Sequence, residues 1–415
     1  MRYVATSFGS AGDFLPTLAI AHALHTAGHE VVFVTNPFHE RAVRAAGVEY
    51  VPAGELVDLY KLIVEQPHIL RTTDGLKILA DELAPTFFAP TYWVGKEVIR
   101  EVRPAAVIGS NLSYGILWAA TERRVPSVMV AATPIFWLTG QAPAQFLDFR
   151  VPDRFLPHVA GAVRTIGFAL ADHWLRSIAR SLGATSFDAS VTGAERSVAL
   201  HLGMWPELLR PASPSDQPNM RACGFARAGH FGSTAPALSP ELEAFLTAGP
   251  APVVIGLGSI YSLGSDDLIA DLADACAEIG QRCVIVGPPP RNRDIPEGTL
   301  VVPYATYHLL FPRAKALVIH GGAGTTGEAL RSGVPSVVVP LGFDQFGLAW
   351  QVERLGVGMR VPKQGRTRAK LVEALRTACE DEAMQARAAE VAAELRPTRD
   401  GADVAASLIL GMSEQ

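Results

Sequence analysis

Two short stretches of the sequence combine glycines with side chains that can bind or activate a ligand. In VIHGGAGTTGE, residues 318–328, His320 follows an apolar run and precedes three glycines, two threonines and a glutamate. In SFGSAGDFLP, residues 7–16, Asp13 ends a second glycine-rich turn. Both stretches have the order strand, turn and helix, and in such units ligands bind beyond the carboxyl end of the strand.

The C-terminal stretch is suited to a phosphorylated ligand. Its glycines let a ligand approach the main chain, and its threonines open a helix whose unpaired N–H groups and positive dipole end attract phosphate. His320 can donate a hydrogen bond to an anionic oxygen, and Glu328 can accept bonds from two ribose hydroxyls. The stretch is neither a Walker loop nor a GxGxxG turn. The alternative is a tight turn that needs glycine for its backbone alone.

A second polar pair follows the next apolar run. In PLGFDQF, residues 340–346, Asp344 accepts hydrogen bonds and Gln345 both donates and accepts them. Together they can bind several hydroxyls of a sugar. A cap for the following helix is the alternative role of Asp344. Because both stretches follow neighbouring strands, we expect them at the same edge of one sheet.

The strands and helices around these stretches alternate twice along the chain. RYVATS opens a βαβαβ pattern, and PVVIGLGS opens another after a segment rich in Pro, Ser, Gly and Ala. The pattern predicts an α/β protein with two doubly wound, Rossmann-like domains that face each other across a cleft. The predicted parts are an N-terminal domain (1–210), a linker (211–236), a C-terminal domain (237–395) and a terminal helix (396–415) that packs back on the first domain.

The composition excludes several classes of protein. The 415 residues suffice for two domains, and 49% hydrophobic with 19% charged residues is typical of a globular protein. With a net charge of −5 and no basic run, we expect no nucleic-acid partner. We find no signal peptide and no apolar run long enough for a membrane span, and the four cysteines form no CxxC pair. We therefore expect a cytoplasmic protein with reduced thiols.

Two regions, residues 55–103 and 133–190, interrupt the alternation and are rich in aromatic residues. We expect irregular helical insertions there. Their aromatic side chains either belong to the core or form the walls of an apolar pocket. The candidates for lining such a pocket are Phe14, Phe87, Trp93, Phe136 and Trp137.

The motifs resemble those of a known enzyme family. IHGGAGTTGEAL and GVPSVVVPLGFDQFGLAWQVERLGVG resemble the donor signature of family 1 nucleotide-diphosphosugar glycosyltransferases of the GT-B fold. GSAGDFLPTLAIAHALHTAGHEV resembles the N-terminal part of the same family. The nearest subgroup contains the rhamnosyltransferase of rhamnolipid synthesis and bacterial antibiotic and sterol glycosyltransferases. The resemblance is thin at residues 55–103 and 133–195.

This resemblance implies that the N-terminal domain binds the acceptor, with the aromatic candidates lining its pocket, and that the C-terminal domain binds the nucleotide sugar. It also implies a role for each donor-site position. His320 would contact the diphosphate, Glu328 the ribose, and Asp344 with Gln345 the transferred sugar. Where the family often stacks a tryptophan on the base, this chain offers Tyr304, with Tyr307 close behind, so uracil and thymine both stay open. The implied donor-binding residues are Gly258, Ser259, Tyr304, His320, Gly322, Gly324, Thr325, Thr326, Glu328, Asp344 and Gln345.

Asp13 lies where many relatives carry a histidine base, and the antibiotic and sterol subgroups resemble this chain in having aspartate there. We therefore expect Asp13 to be the catalytic base, with a helix N-cap as its alternative role. The histidine-type enzymes often pair their base with an aspartate after the fourth strand. Here that loop reads GSNLSY, so we expect no such dyad.

The resulting hypothesis is an inverting, metal-independent transfer of a hexose or deoxyhexose from a UDP- or dTDP-sugar. The acceptor is a hydroxyl of a small apolar molecule, such as a natural product, phenolic, sterol or lipid. Besides the nucleotide sugar we expect no cofactor, and the protein is expected to be a monomer or homodimer. The alternatives are a catalytically silent nucleotide-sugar-binding partner of another transferase, and a GT-B-type epimerase, which requires several carboxylates in the cleft.

Overall fold

The computed structural model describes residues 1–58, 61–62, 65, 84–137, 147–152, 154–227, 237–258, 266–291 and 293–412. Its strands form two parallel sheets. The first sheet has the order β3-β2-β1-β4-β5-β6-β7. Its strands are β1 (Arg2–Thr6), β2 (Glu30–Thr35), β3 (Glu49–Pro52), β4 (Ala106–Ser110), β5 (Ser127–Ala131), β6 (Leu200–Gly203) and β7 (Met220–Ala222). The helices among them are α1 (Ala11–Thr26), α2 (Glu40–Ala45), α3 (Ala84–Val102), α4 (Tyr114–Glu122), α5 (Leu156–Ser181) and α6 (Val191–Ser197).

The second sheet has the order β10-β9-β8-β11-β12-β13. Its strands are β8 (Val253–Gly256), β9 (Cys283–Val286), β10 (Thr299–Val302), β11 (Ala316–Ile319), β12 (Ser336–Val338) and β13 (Gly358–Arg360). The helices of this half are α7 (Pro240–Thr247), α8 (Asp266–Glu278), α9 (Tyr307–Leu310), α10 (Ala323–Ser332), α11 (Gln345–Arg354), α12 (Arg368–Glu380), α13 (Glu382–Leu395) and α14 (Gly401–Met412). The predicted pair of doubly wound α/β units is thus confirmed.

The central strands are buried because helices cover both faces of each sheet. In the first sheet Val4 of β1 pairs with Val32 of β2 on one side and with Val107 of β4 on the other. Strand order reverses between β1 and β4, and again between β8 and β11. Such reversals open a crevice at the carboxyl edge of a sheet. Asp13 follows β1 and His320 follows β11, so both predicted motifs lie at a reversal.

The chain passes between the two halves at two adjacent segments. The amide of Gly401 donates to the carbonyl of Phe225 (3.0 Å), and the amide of Arg227 donates to the Asp400 carboxylate (3.0 Å). Beyond this crossing, α14 packs on α1, and Ile409 joins the core of the first half.

Two expectations differ from the structure. Strand β7 belongs to the first sheet although it lies within the range expected to be a linker, because Met220 pairs with His201 of β6. The insertion at 133–190 is not irregular throughout, since α5 is one regular helix of 26 residues.

Candidate active site

Asp13 is fixed by the first turn of α1. Ser10 is the N-cap of this helix and Asp13 its third residue, so the structure contradicts the alternative in which Asp13 itself is the cap. Oδ2 of Asp13 accepts from the Ser10 amide (3.1 Å) and the Ser10 hydroxyl (2.9 Å), forming a capping box. Gly9 has φ of +119°, and a Cβ there would lie 2.7 Å from Oδ2. Only glycine therefore lets the turn close around the carboxylate.

A buried histidine supports this turn from behind. The His39 ring stacks on Phe14 at 3.9 Å and hydrogen bonds to the Gly9 backbone. Burial lowers the pKa of His39 to about 4, so the ring is neutral at ordinary pH. His39 was not singled out from the sequence, because its role depends on the packing of β2 against α1. Phe14, a predicted acceptor residue, is buried in this stack.

His320 lies at the carboxyl end of β11, between two glycines. A Cβ on Gly258 would lie 2.7 Å from its Cε1, and a Cβ on Gly322 would collide with its Nε2. These glycines are therefore needed to seat the ring, in addition to any role in ligand approach. Burial lowers the pKa of His320 to about 4, although its hydrogen bond to the Gly256 backbone acts in the opposite direction.

The first turn of α10 presents main chain toward the cleft. Gly322 is the N-cap and makes no side-chain capping bond, Gly324 is exposed, and Thr325 is half-buried. Thr326 differs from the prediction that its hydroxyl contacts a ligand. Its side chain is fully buried and its Oγ1 has no partner, although its amide bonds to the Gly322 carbonyl (2.8 Å).

The other residues predicted near the donor differ from one another in their surroundings. Glu328 is half-buried and pairs with Arg331 (2.5 Å). Tyr304 is 52% exposed, so its ring can be reached from solvent. Tyr307 stacks on Phe311 at 4.3 Å, and burial raises its pKa, so it belongs to the core. Ser259 lies outside the described residues.

Asp344 occupies the N-cap position of α11 but makes no capping bond with its side chain. Its carboxyl group instead hydrogen bonds to Thr133, which follows β5 in the other half of the molecule. Burial, together with the negative charge of Asp13, raises the pKa of Asp344 to about 7. Burial also raises the pKa of Asp13, against the hydrogen bonds from Ser10. The two carboxyl groups therefore share one cleft.

The side chain of Gln345 is hydrogen bonded within its own loop. It is buried, and its Oε1 accepts from the amides of Leu341 (2.8 Å) and Gly342 (3.3 Å). The side-chain Oε1 of Gln345 thus stabilises the loop that carries Asp344. This differs from the expectation that Gln345 reads sugar hydroxyls directly with both of its polar atoms.

The predicted acceptor residues do not form one group. Phe87 and Trp137 are buried in two different cores, and the Trp137 N–H donates to His201 (3.1 Å). Phe136 is half-buried, and Trp93 is 52% exposed near Lys96. For Phe14, Phe87 and Trp137 the structure therefore favours the core interpretation over the pocket wall.

The described ranges contain neither a metal-binding cluster nor a membrane-spanning helix. Nowhere in them do three or more His, Cys, Asp or Glu side chains form a group able to hold a metal ion. None of the helices in these ranges combines the length and apolar character that a membrane span needs.

Comparisons with known proteins agree with this architecture. The family "Erythromycin biosynthesis protein CIII-like, C-terminal domain" matches residues 269–410. An O-mycaminosyltylonolide 6-deoxyallosyltransferase of Streptomyces fradiae is 29% identical, over 94% of this chain and 92% of that protein. A 3-alpha-mycarosylerythronolide B desosaminyl transferase of Saccharopolyspora erythraea is 26% identical, over 94% of this chain and 93% of that protein. The solved structure of glycosyltransferase VinC in complex with dTDP has a TM-score of 0.71 at 22% identity and covers both chains completely.

Proposed function

Because the chain belongs to the family 1 glycosyltransferases of the GT-B fold, we propose that it moves a hexose or deoxyhexose from a UDP- or dTDP-sugar to a hydroxyl of a small, largely apolar acceptor. The names of the relatives support this substrate class, since they transfer deoxysugars to antibiotic precursors. The dTDP bound to VinC supports a nucleotide-linked donor.

One observation carries the proposal. Asp13, from the first sheet, lies close enough to Asp344, from the second, for their charges to interact. A base on one domain thus faces a polar loop at the carboxyl edge of the other domain. This is the arrangement needed when a hydroxyl bound by one domain attacks a sugar bound by the other.

In the proposed reaction, Asp13 removes the proton of the acceptor hydroxyl as its oxygen attacks the anomeric carbon. The bond from that carbon to the diphosphate breaks in the same step, so the configuration inverts. The leaving nucleoside diphosphate carries the departing electron pair. In this proposal the N-terminus of α10, a helix of ten residues, stabilises this charge without a metal ion, and His320 assists it.

The test is to incubate the protein with UDP- and dTDP-sugars and a panel of macrolide, phenolic and sterol acceptors, with and without a chelator. We expect a product heavier by one sugar, an inverted anomeric centre in its NMR spectrum, and an unchanged rate in the chelator. Release of a free epimerised sugar without acceptor would support the epimerase instead. Retained configuration, or a rate that needs added divalent cation, would overturn the mechanism.

A further inference from the structure

Residues 147–152, here called the strap, join the insertion of the first domain to the second domain. The carbonyl of Leu147 accepts from the Trp350 indole N–H (2.9 Å). Asp148 accepts with its carbonyl from Arg360 Nη1 (2.7 Å) and with its carboxylate from the Gln364 amide (3.0 Å). The guanidinium of Arg360 also stacks 3.8 Å from the centre of the Trp350 ring. The strap is therefore held by hydrogen bonds from main-chain and side-chain donors, and two of the side chains that donate to it stack on each other.

Residues on either side of Gln364, which receives the strap, hold the loop that carries Asp344. Arg366 donates to the carbonyls of Pro340 (2.8 Å) and Val361 (3.0 Å), and Lys363 donates to the Leu341 carbonyl (3.2 Å). Burial lowers the pKa of Arg366 to about 10, while the charge of Asp148 acts to raise it. Asp148 is thus the nearby anion that compensates this partly desolvated guanidinium.

The beginning of the same insertion also contacts this loop, because Thr133 hydrogen bonds to Asp344 itself. The loop is consequently held between two points of one insertion, which belongs to the opposite domain. Movement of the domains away from each other would release both contacts together. This coupling links domain closure to the position of Asp344.

We propose that Asp148 is a positioning residue, which holds the 360–366 segment through Arg360 and Gln364 and thereby fixes the 340–345 loop when the domains are closed. It touches neither the sugar nor the acceptor. Its effect on sugar transfer rests on the proposed function, whereas its effect on the loop does not.

The experiment compares Asp148→Ala with Glu353→Gln in the full-length chain. Glu353 also pairs with Arg360 (3.9 Å) but lies in the same domain, so its substitution removes a charge from that arginine without touching the strap. Hydrogen exchange is measured first, without any ligand. We expect roughly tenfold faster exchange at residues 340–345 and at the Gln364 amide in Asp148→Ala, and no change in Glu353→Gln.

Activity and binding are then measured on the same proteins. We expect kcat for transfer to fall roughly tenfold in Asp148→Ala, with the Kd of dTDP or UDP alone within about twofold of the parent. Asp148→Asn keeps an acceptor for the Gln364 amide and is expected to lie between the two. Unchanged exchange at residues 340–345 would overturn the proposal, as would faster exchange over all peptides with a lower Tm. If the parent protein transfers no sugar, the exchange result still decides the role of Asp148, and only the proposed function fails.

Discussion

Asp13 and Asp344 face each other from opposite domains, and the charge of Asp13 raises the pKa of Asp344. Two carboxylates in one partly desolvated cleft repel each other, so one of them tends to hold a proton. Asp13 accepts two hydrogen bonds from Ser10, which favour its ionised form, whereas Asp344 has its bond from Thr133. Asp13 is therefore the carboxyl group that we expect to be ionised and to act as the base. Asp344 is the one that we expect to hold a proton.

Asp13→Asn is expected to lower kcat by about 10²–10⁴, because the amide cannot take the proton of the acceptor. The amide oxygen can still accept from Ser10, so α1 should remain capped and the affinity for dTDP or UDP should persist. Product formation measured by mass spectrometry and nucleotide binding measured by calorimetry test both statements. Ser10→Ala is the matched control, since it weakens the cap but keeps the carboxylate. A turnover of Asp13→Asn equal to that of the parent would remove Asp13 from the mechanism.

Asp344→Asn is expected to stabilise the protein more at pH 8 than at pH 4. The folded pKa of Asp344, about 7, lies above its ordinary value of 3.8, so the folded state holds this proton more tightly than the unfolded state does. The stability from this group is complete below pH 3.8 and is lost as the pH rises through about 7. Tm measured from pH 4 to pH 8 tests the sign.

Asp188 provides a control of opposite sign for that experiment. Burial acts to raise its pKa, but hydrogen bonds from Ser190 and Arg176 leave the pKa lowered overall. Its contribution is therefore present above the ordinary carboxyl pKa and lost at lower pH. Asp188→Asn should reduce Tm at pH 8, where Asp344→Asn raises it. A pH-independent change in Tm for Asp344→Asn would contradict the assigned shift.

Binding of dTDP or UDP is expected to take up a proton at His320. The neutral ring has a single N–H, and a diphosphate beside it favours the imidazolium form, which has two. Binding should therefore be tighter at pH 6 than at pH 8. Calorimetry in buffers of different ionisation enthalpy gives the number of protons taken up. The uptake should vanish in His320→Gln and persist in His39→Gln, because His39 is an equally buried neutral histidine behind the other motif. Equal uptake in both variants would assign the proton elsewhere.

The two neighbouring glycines of the donor loop should respond differently to alanine. In Gly322→Ala the new Cβ meets the His320 ring, so Tm should fall, with a cost of about 1–3 kcal/mol for overpacking. In Gly324→Ala the Cβ meets open space, and Tm should hold or rise slightly. If the diphosphate lies on this turn, Gly324→Ala should nevertheless weaken dTDP or UDP binding. Unchanged affinity in Gly324→Ala would place the diphosphate away from this residue.

The sequence was most informative where function depends on local geometry. Asp13 and His320 each follow a strand at a reversal of strand order, and the strand-turn-helix pattern alone indicates that position. Burial was less predictable, because an aromatic side chain such as Trp137 fits a core as well as a pocket wall. Likewise, Thr325 is half-buried and Thr326 fully buried because the two adjacent residues lie on different faces of α10.

Contacts between distant segments left no local signal. Thr133 and Asp148 act on the loop of Asp344 from the other half of the chain, and neither lies in a motif. His39 contacts the turn of Asp13 only after β2 pairs with β1. The sequence therefore predicted the two sheets and the position of Asp13 and His320 at strand ends, but not the bonds that hold the domains together around them.

The packing of α14 on α1 makes the first domain discontinuous along the chain. A fragment that ends at residue 227 would leave Leu18 and Leu24 without the helical cover that Ala405 and Ile409 provide. Hybrid proteins that combine the first domain of this chain with the second domain of a relative therefore need two junctions, one near residue 227 and one near residue 400. A single splice in the linker would join α1 to a foreign terminal helix and leave that interface mismatched.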